Sequence, residues 1–479
     1  MRSISAFALS FISRRRSVCC LLLLALSVAV FAQSSGLPNT EVVQADLCPD
    51  IDMCIVDPEG GCMSVPCPSS SPLPVATPRP IPTPDSLCIF SICTTDPTTG
   101  RQTCRPAPCP FAQPHLATAP AAIMISEFRF RGPNGVNDEF VEIFNNTPYT
   151  VKVDTIDGSG GWALVASDGR VRFIIPVGTL IPSYGHFLAV NALGYSLGSY
   201  PAGNGTTAAA DASYALDIPD GSGIALFATA DPLNFTPNYR FDAAGYEITP
   251  SLYREGAGFP FYGAETFIPL QYSFYRDLTT GRPKDTDDNK ADFMGVDTNY
   301  YNTSAGQHLG APGPENLSSP VNVGGRIQLS MLDPAVSSTA EPNRVRTTVY
   351  DPENNSTYGT MSFRRTITNI SSTNITRLRF RIVNITTFPA ATGDADLRPR
   401  SSYVPFNVMI SDGSIKTVMG TSLETPPGQP NGGGFNSSMS ADDVTLAQPL
   451  APGQSISLQF LLGVQQSGTF RFNIIVETL

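Results

Sequence analysis

Turn-forming residues interrupt this chain so often that long helices have no room. Glycine occurs 40 times and proline 43 times in 479 residues, and both end or weaken helices. Between them lie short apolar runs such as Gly161-Trp162-Ala163-Leu164-Val165, Arg172-Phe173-Ile174-Ile175-Pro176, His186-Phe187-Leu188-Ala189-Val190 and Gly223-Ile224-Ala225-Leu226-Phe227. Turn clusters separate them, among them Ser167-Asp168-Gly169 and Pro219-Asp220-Gly221-Ser222-Gly223. Short strands punctuated in this way predict an all-β sandwich. Trp162, the single tryptophan, falls within a strand and is expected to anchor its core. Hydrophobic residues make up 41% of the chain, enough to fill real cores.

Period-two patterning is clearest near the C-terminus. In Thr376–Val383, Leu378, Phe380 and Ile382 face one way while Arg377, Arg379 and Arg381 face the other. Ser455–Leu461 and Phe470–Ile474 alternate similarly. Alternation of this kind predicts half-buried antiparallel strands. The arginine stripe, with Arg364 and Arg365 beside it, is then expected to be a solvated face that resists edge pairing. The alternative is a docking surface for an acidic polysaccharide or for the protein's own acidic face.

The first 32 residues read as a secretory leader. Arg2 and Arg14-Arg15-Arg16 form a basic region, Val18 to Phe31 an apolar one, and Val30-Phe31-Ala32 a cleavage site before Gln33. Cleavage removes four of 30 basic residues and none of the 41 acidic ones, taking the net charge from −11 to −15. Such acidity repels phosphate backbones, so nucleic acid is excluded as a partner. No transmembrane segment follows the leader.

Residues 33–121 hold eight cysteines in two copies of one pattern, Cys48, Cys54, Cys62 and Cys67, then Cys88, Cys93, Cys104 and Cys109. Four cysteines per copy in an exported chain predict two small modules, each closed by two disulfides of open connectivity. The spacings lack the paired C-x2-C knuckles of zinc ribbons. Pro72 to Pro84 and Pro114 to Pro120 predict extended, semi-rigid spacers.

Three stretches carry a family resemblance. Ile125-Ser126-Glu127 is followed by Glu139-Phe140-Val141-Glu142-Ile143-Phe144-Asn145-Asn146, and later by Asp285-Thr286-Asp287-Asp288-Asn289-Lys290-Ala291-Asp292-Phe293. With the runs around Trp162, Phe173, Phe187 and Ala225, these make residues 122–317 resemble the lamin tail domain family in its bacterial secreted form. The resemblance implies an immunoglobulin-like β-sandwich used for binding, without a catalytic centre. It departs from the family in two insertions, Gly198–Ser213 and Thr249–Thr266. The expected fold is therefore all-β: a lamin tail domain at 122–317, a second immunoglobulin-like β-sandwich at 321–479, and the disulfide- and proline-rich region ahead of both.

Catalytic equipment is sparse. The three histidines are His115, His186 and His308, and no Gly-x-Ser-x-Gly, His-Glu-x-x-His or phosphate-cradling loop occurs. His186 is expected to be a satisfied strand residue, and the chain is expected not to be an enzyme. Asp285, Asp287, Asn289 and Asp292 place oxygens at alternating positions, as in calcium loops, but Lys290 stands where such a loop needs glycine and Val296 where it needs glutamate. The expectation is an Asx-rich turn, with calcium as the one alternative ion and no other cofactor. Asp138, Glu127, Glu139 and Glu142 could form an acidic patch; the expectation is that some face solvent and one caps a loop. Asn-x-Ser/Thr sequons recur, including Asn145, Asn204, Asn302, Asn355, Asn369, Asn374, Asn384 and Asn436. In a bacterial protein they are expected to arise from composition alone. The function expected is that of a non-catalytic exported binding or scaffold protein of the cell surface or extracellular space, contacting protein or glycan. The alternative is an accessory or targeting protein for a secreted nuclease or phosphatase.

Overall fold

The computed structural model describes residues 122–200, 208–259, 272–299, 306–319, 326–402 and 405–479, with four short strands between residues 54 and 106. Among these residues helix is confined to one α-turn, Asn289–Asp292, and brief 3-10 turns. Everything else regular is strand.

The first pair of sheets grows from Ile123–Arg129. That strand lies inside a seven-stranded sheet, between Phe140–Asn145 and Tyr272–Arg276, with His186–Asn191 and Ala212–Tyr214 beyond on one side and Phe293–Asp297 and His308–Leu309 on the other. A four-stranded sheet faces it, in the order Arg240–Ala244, Ile224–Phe227, Gly161–Ala166, Val171–Pro176. Trp162 is fully buried between the two. Its Nε1 donates to the Asp154 carbonyl at 2.8 Å and its ring meets Phe241 edge-on at 4.7 Å.

One register shift decides which side chains leave this core. Ile123 and Ile125 point inward, so strict alternation would send Glu127 inward as well. The ladder slips between Ile125 and Glu127. That bulge reverses the phase. Phe128 and Phe130 now enter the core, while Glu127 joins Glu142 on the outer face.

The second pair of sheets packs Leu378, Phe380, Ile382 and Phe472 against Phe363, Phe460 and Leu462. Phe380 meets Phe460 edge-on at 4.8 Å. One sheet orders Phe472–Thr478, Leu378–Ile385, Ser438–Ser440 and Ser422–Leu423. The other is built on Thr360–Asn369 and Ser455–Gln466, which pair over nine residues. The arginine-bearing face of the first sheet lies on the outer face of the seven-stranded sheet. The result is four β-layers with a charged joint in the middle.

Both halves close a strand with the same polar turn. Asn145 Nδ2 donates to the carbonyls of Tyr149, Ile181 and Pro182, and its Oδ1 accepts from the Thr147 backbone and hydroxyl. Asn369 Nδ2 donates to the carbonyls of Thr373 and Leu450, and its Oδ1 accepts from the Ser371 backbone and hydroxyl. Two sequons are therefore internal turn locks, with Asn145 and Asn369 fully buried. A third, Asn436, is buried as well.

The cysteine repeats add backbone strands. Cys54–Val56 runs parallel to Phe472–Thr478 and pairs with Cys62–Met63. Phe90–Thr95 pairs with Gln102–Pro106, setting Cys93 opposite Cys104, and with Thr150–Val153. The leader, the cysteine side chains, the proline spacers, His115, Asn204 and Asn302 lie outside the described residues.

Replacing Asn145 or Asn369 with alanine strands buried carbonyls, each a group whose lost partner costs roughly 1–3 kcal/mol. Each variant should lower unfolding stability by about 2–3 kcal/mol in urea titrations, whereas Asn374→Ala, at an exposed sequon, should leave it unchanged.

Candidate functional site

The joint between the two halves gathers a dense layer of buried charge. Glu127 and Glu142 stand directly opposite each other on neighbouring strands, a destabilising arrangement for like charges. The surroundings resolve it unequally. Glu142 accepts from Ser126 Oγ, from the Glu315 backbone N–H at 2.6 Å and from His186 Nδ1 at 2.9 Å. Burial works against its charge, but His186 and these hydrogen bonds hold its carboxyl below the usual range. Glu127 accepts from Ser273 Oγ at 2.7 Å, Gly313 N at 2.9 Å and Asn436 Nδ2 at 3.1 Å. Burial, then Glu142, push its pKa up to about 7 despite Arg381.

His186 lies between two carboxylates, with Nδ1 on Glu142 and Nε2 3.2 Å from Glu315. Burial disfavours its charged form, yet Glu142 and Glu315 raise its pKa to about 9. At neutral pH it is a cation. From the other half, Arg381 pairs with Glu477 at 2.6 Å and Glu315 at 3.0 Å, and donates to the Gly313 carbonyl at 3.0 Å. Arg379 reaches Glu424 at 2.7 Å, Glu477 at 3.0 Å and Glu315 at 3.2 Å. Arg377 is 3.6 Å from Glu424. The connector between the halves is part of the joint. Gly313 passes between Glu127 and Arg381, where an added Cβ would lie 2.4 Å from the arginine Nη1.

The arginine stripe is therefore not solvated, contrary to expectation: Arg377, Arg379 and Arg381 are 1%, 0% and 3% exposed. Alternation distinguishes an apolar face from a charged one, but it does not say whether the charged face meets water or opposite charge. What meets it is the protein's own carboxylates, Glu424 and Glu477 from the same half and Glu315 from the connector. Arg365 is also buried, whereas Arg364 packs over Phe406 at 4.8 Å. The expected partly solvated acidic patch is corrected too, since Asp138 and Glu139 are fully buried. Asp138 pairs with Arg129 and accepts from the Asn134 and Ser196 N–H groups. Glu139 accepts from Asn191 and from the Ile218 N–H, and burial raises its pKa to about 8. In both cases loops fold back over the strand and supply donors that sequence spacing does not reveal.

Beside the joint is a cavity of about 60 Å³, walled by Glu127, Glu142, His186, Arg381 and Tyr184. Arg282 stacks on Tyr184 at 4.3 Å and also lines it. The volume suits about two waters or a very small ligand.

The structure divides the four oxygen-bearing residues of the 285–292 segment. Asn289 is fully buried; its Oδ1 accepts from Gly245 N and Glu255 N, and its Nδ2 donates to the Ala243 carbonyl. Asp292 accepts from the Thr286 N–H and hydroxyl. Asp285 approaches Arg276 at 3.2 Å. Asp287 is exposed, in a left-handed conformation with φ 58°. Asp285 and Asp287 come together with Glu255, a residue whose sequence context gave no signal. Burial, then Asp242 and Asp285, push the Glu255 carboxyl up to about 10. His308 stacks on Phe435 at 4.9 Å, and burial lowers its pKa.

No family model, curated protein or solved structure matches this chain. Among the described residues no helix is long and apolar enough to cross a membrane.

The joint fixes a pH dependence. An acid whose folded pKa exceeds its unfolded value of 4.5 penalises the folded state increasingly as pH climbs to the folded pKa, here about 7 for Glu127. The raised pKa of His186 contributes stability that is complete below 6.5 and lost as pH rises through about 9. Both slopes run downward with rising pH. Glu477 acts oppositely: burial notwithstanding, Arg381 and Arg379 hold it near 2, and its contribution fades as pH falls below 4.5. Urea midpoints should fall from about pH 5 to about pH 9. Glu127→Gln should flatten the lower part of that decline and His186→Gln the upper part. Arg381→Gln, which strands buried carboxylates, should cost roughly 3–5 kcal/mol near neutrality.

Proposed function

We propose that this is a non-catalytic exported binding or scaffold protein, in which a lamin-tail-like, immunoglobulin-like sandwich is fused to a second immunoglobulin-like sandwich and ligands are met by loops and sheet edges. The observation that carries this reading is the commitment of the joint. His186 is clamped as an imidazolium between Glu142 and Glu315, a form with no lone pair to accept a proton. Ser126 Oγ donates to Glu142, which is already shared with His186 and the Glu315 N–H, rather than to the imidazole. Groups that could form a hydrolytic constellation act instead as struts, and they hold two sandwiches as one rigid platform for recognition. The exported location and the disulfides of the repeats belong to the same proposal. The opposed register of Cys93 and Cys104 supports a bond between them, because cross-strand Cα separations of about 4.5–5.5 Å suit a disulfide.

The test is a pull-down from envelope extract on the immobilised mature protein, with purified protein assayed in parallel against phosphodiester, phosphomonoester and glycoside substrates. Recovery of cell-wall glycan or a surface protein, with no turnover, is the expected result. Recovery of a nuclease or phosphatase would favour the accessory role. Turnover that Glu142→Gln or His186→Gln abolishes would overturn the reading.

A further inference from the structure

Asparagine followed by glycine is a pair of residues able to modify itself. Glycine has no side chain to keep its backbone nitrogen away from the neighbouring side-chain amide, and asparagine is among the thermolabile residues. Among the described residues the pair occurs as Asn134-Gly135 and as Asn431-Gly432. A third copy, Asn204-Gly205, lies outside them.

The fold treats the two pairs differently. Gly135 N donates to the Gly132 carbonyl at 3.0 Å, and Asn134 Nδ2 donates to the Gly194 carbonyl at 3.0 Å. The nitrogen that must attack and the amide it must reach are both held. At the second pair Gly432 N has no acceptor among the described residues, and Gly432 lies in the left-handed region at φ +80°. Asn431 Nδ2 makes one long contact, 3.4 Å to the Asn299 carbonyl. Both residues are half-exposed, so water reaches them.

Arg398 adds an activating contact. Asp396 holds its Nε and Nη2, each at 2.7 Å, and its Nη1 donates to the Asn431 main-chain oxygen at 2.9 Å. That oxygen and Gly432 N belong to one peptide unit. A charge-assisted hydrogen bond on the oxygen stabilises the negative charge that spreads there when the nitrogen loses its proton. The nitrogen therefore ionises more readily than that of an ordinary peptide.

We propose that Asn431-Gly432 is a self-modifying site whose slow reaction loosens the contact between the two halves. Hydroxide removes the Gly432 N–H proton, and the nitrogen attacks Asn431 Cγ. The N–Cγ bond forms, the Cγ–Nδ2 bond breaks, and Nδ2 leaves as ammonia after taking a proton from water. Water then opens the cyclic imide. Attack at Cγ gives aspartate. Attack at the main-chain carbonyl gives isoaspartate, in which the chain runs through the side chain and is one carbon longer. Asparagine and water are consumed and ammonia is released, with no oxidant or cofactor.

The place of the site in the fold gives the change an effect. The Asn431 donor to Asn299 links the second half to the first, and either product loses it. Just downstream, Gly434 passes so close to the edge strand His308–Leu309 that a Cβ would collide with the Leu309 carbonyl oxygen. Phe435 N donates to that carbonyl at 2.9 Å, and the Phe435 carbonyl accepts from Ala311 N at 3.0 Å. An extra backbone carbon ahead of so tight a clamp must displace it. The proposal is independent of the binding role argued above.

The experiment is timed incubation of the full chain in mildly alkaline buffer, with peptide mapping by mass spectrometry and melting temperature read from the same samples. In urea both pairs should convert at similar rates, since only the local sequence then acts. In the folded chain conversion at Asn431 should outrun that at Asn134 by roughly tenfold, the scale of the two hydrogen bonds that restrain Asn134-Gly135. Aspartate and isoaspartate should both appear, and the melting temperature should fall as they accumulate. Asn431→Gln, whose longer side chain would have to close a larger ring, should keep its melting temperature over the same period. That variant also separates the loss from any change at Asn204-Gly205. Equal conversion at Asn134 and Asn431 in the folded chain would overturn the proposal. So would an aged wild-type protein that melts like the fresh one, or an Asn431→Gln protein that declines in step with wild type.

Discussion

Neutralisation of charge between two sheets is the constraint around which the rest of this molecule is arranged. Five carboxylates, Glu127, Glu142, Glu315, Glu424 and Glu477, meet three arginines and a protonated histidine in a largely desolvated layer. Four cations do not balance five anions, and the excess shows on Glu127, whose pKa burial and Glu142 push up to about 7. The bulge at Ser126 and the glycine at 313 both serve this layer. The first turns Glu127 outward, and the second lets the connector pass between opposite charges.

Such a layer is not an efficient source of stability. Desolvating two ions costs several kcal/mol each, and well-packed apolar residues of similar volume often do as well or better. What charge supplies is discrimination. An apolar joint tolerates sliding and rotation, whereas Arg379 and Arg381, each shared among carboxylates from different segments, find partners in one relative placement only. A displacement of a few ångströms breaks the contacts that cross the joint, those of Glu315 with Arg379 and Arg381 and of Asn436 with Glu127, and so favours one orientation.

Much of the fold was legible in the sequence because strands are local. The runs around Trp162, Phe187 and Ala225 and the inward set Leu378, Phe380 and Ile382 sit where alternation and turn chemistry put them. The joint was not legible, because its meaning lies in pairs far apart along the chain. Arg379 meets Glu315, Glu424 and Glu477, separated from it by 64, 45 and 98 residues. Nothing local marks a charged strand face as buried. The sequons misled in a similar way: Asn145 and Asn369 looked like products of composition, yet each serves a turn through bonds to distant carbonyls. Glu255 lay in an insertion whose sequence context carried no signal, and only the fold of the loop brings it to Asp285 and Asp287.

The buried connector has a consequence for inheritance. Glu315 belongs in sequence to the boundary between the halves but in space to both of them. A cut there would leave Glu127, Glu142 and His186 uncovered on the first half, while the arginines of the second would keep Glu424 and Glu477 and lose Glu315. The loss at such a cut would therefore fall on the connector, even though each half has sheets and an apolar interior of its own.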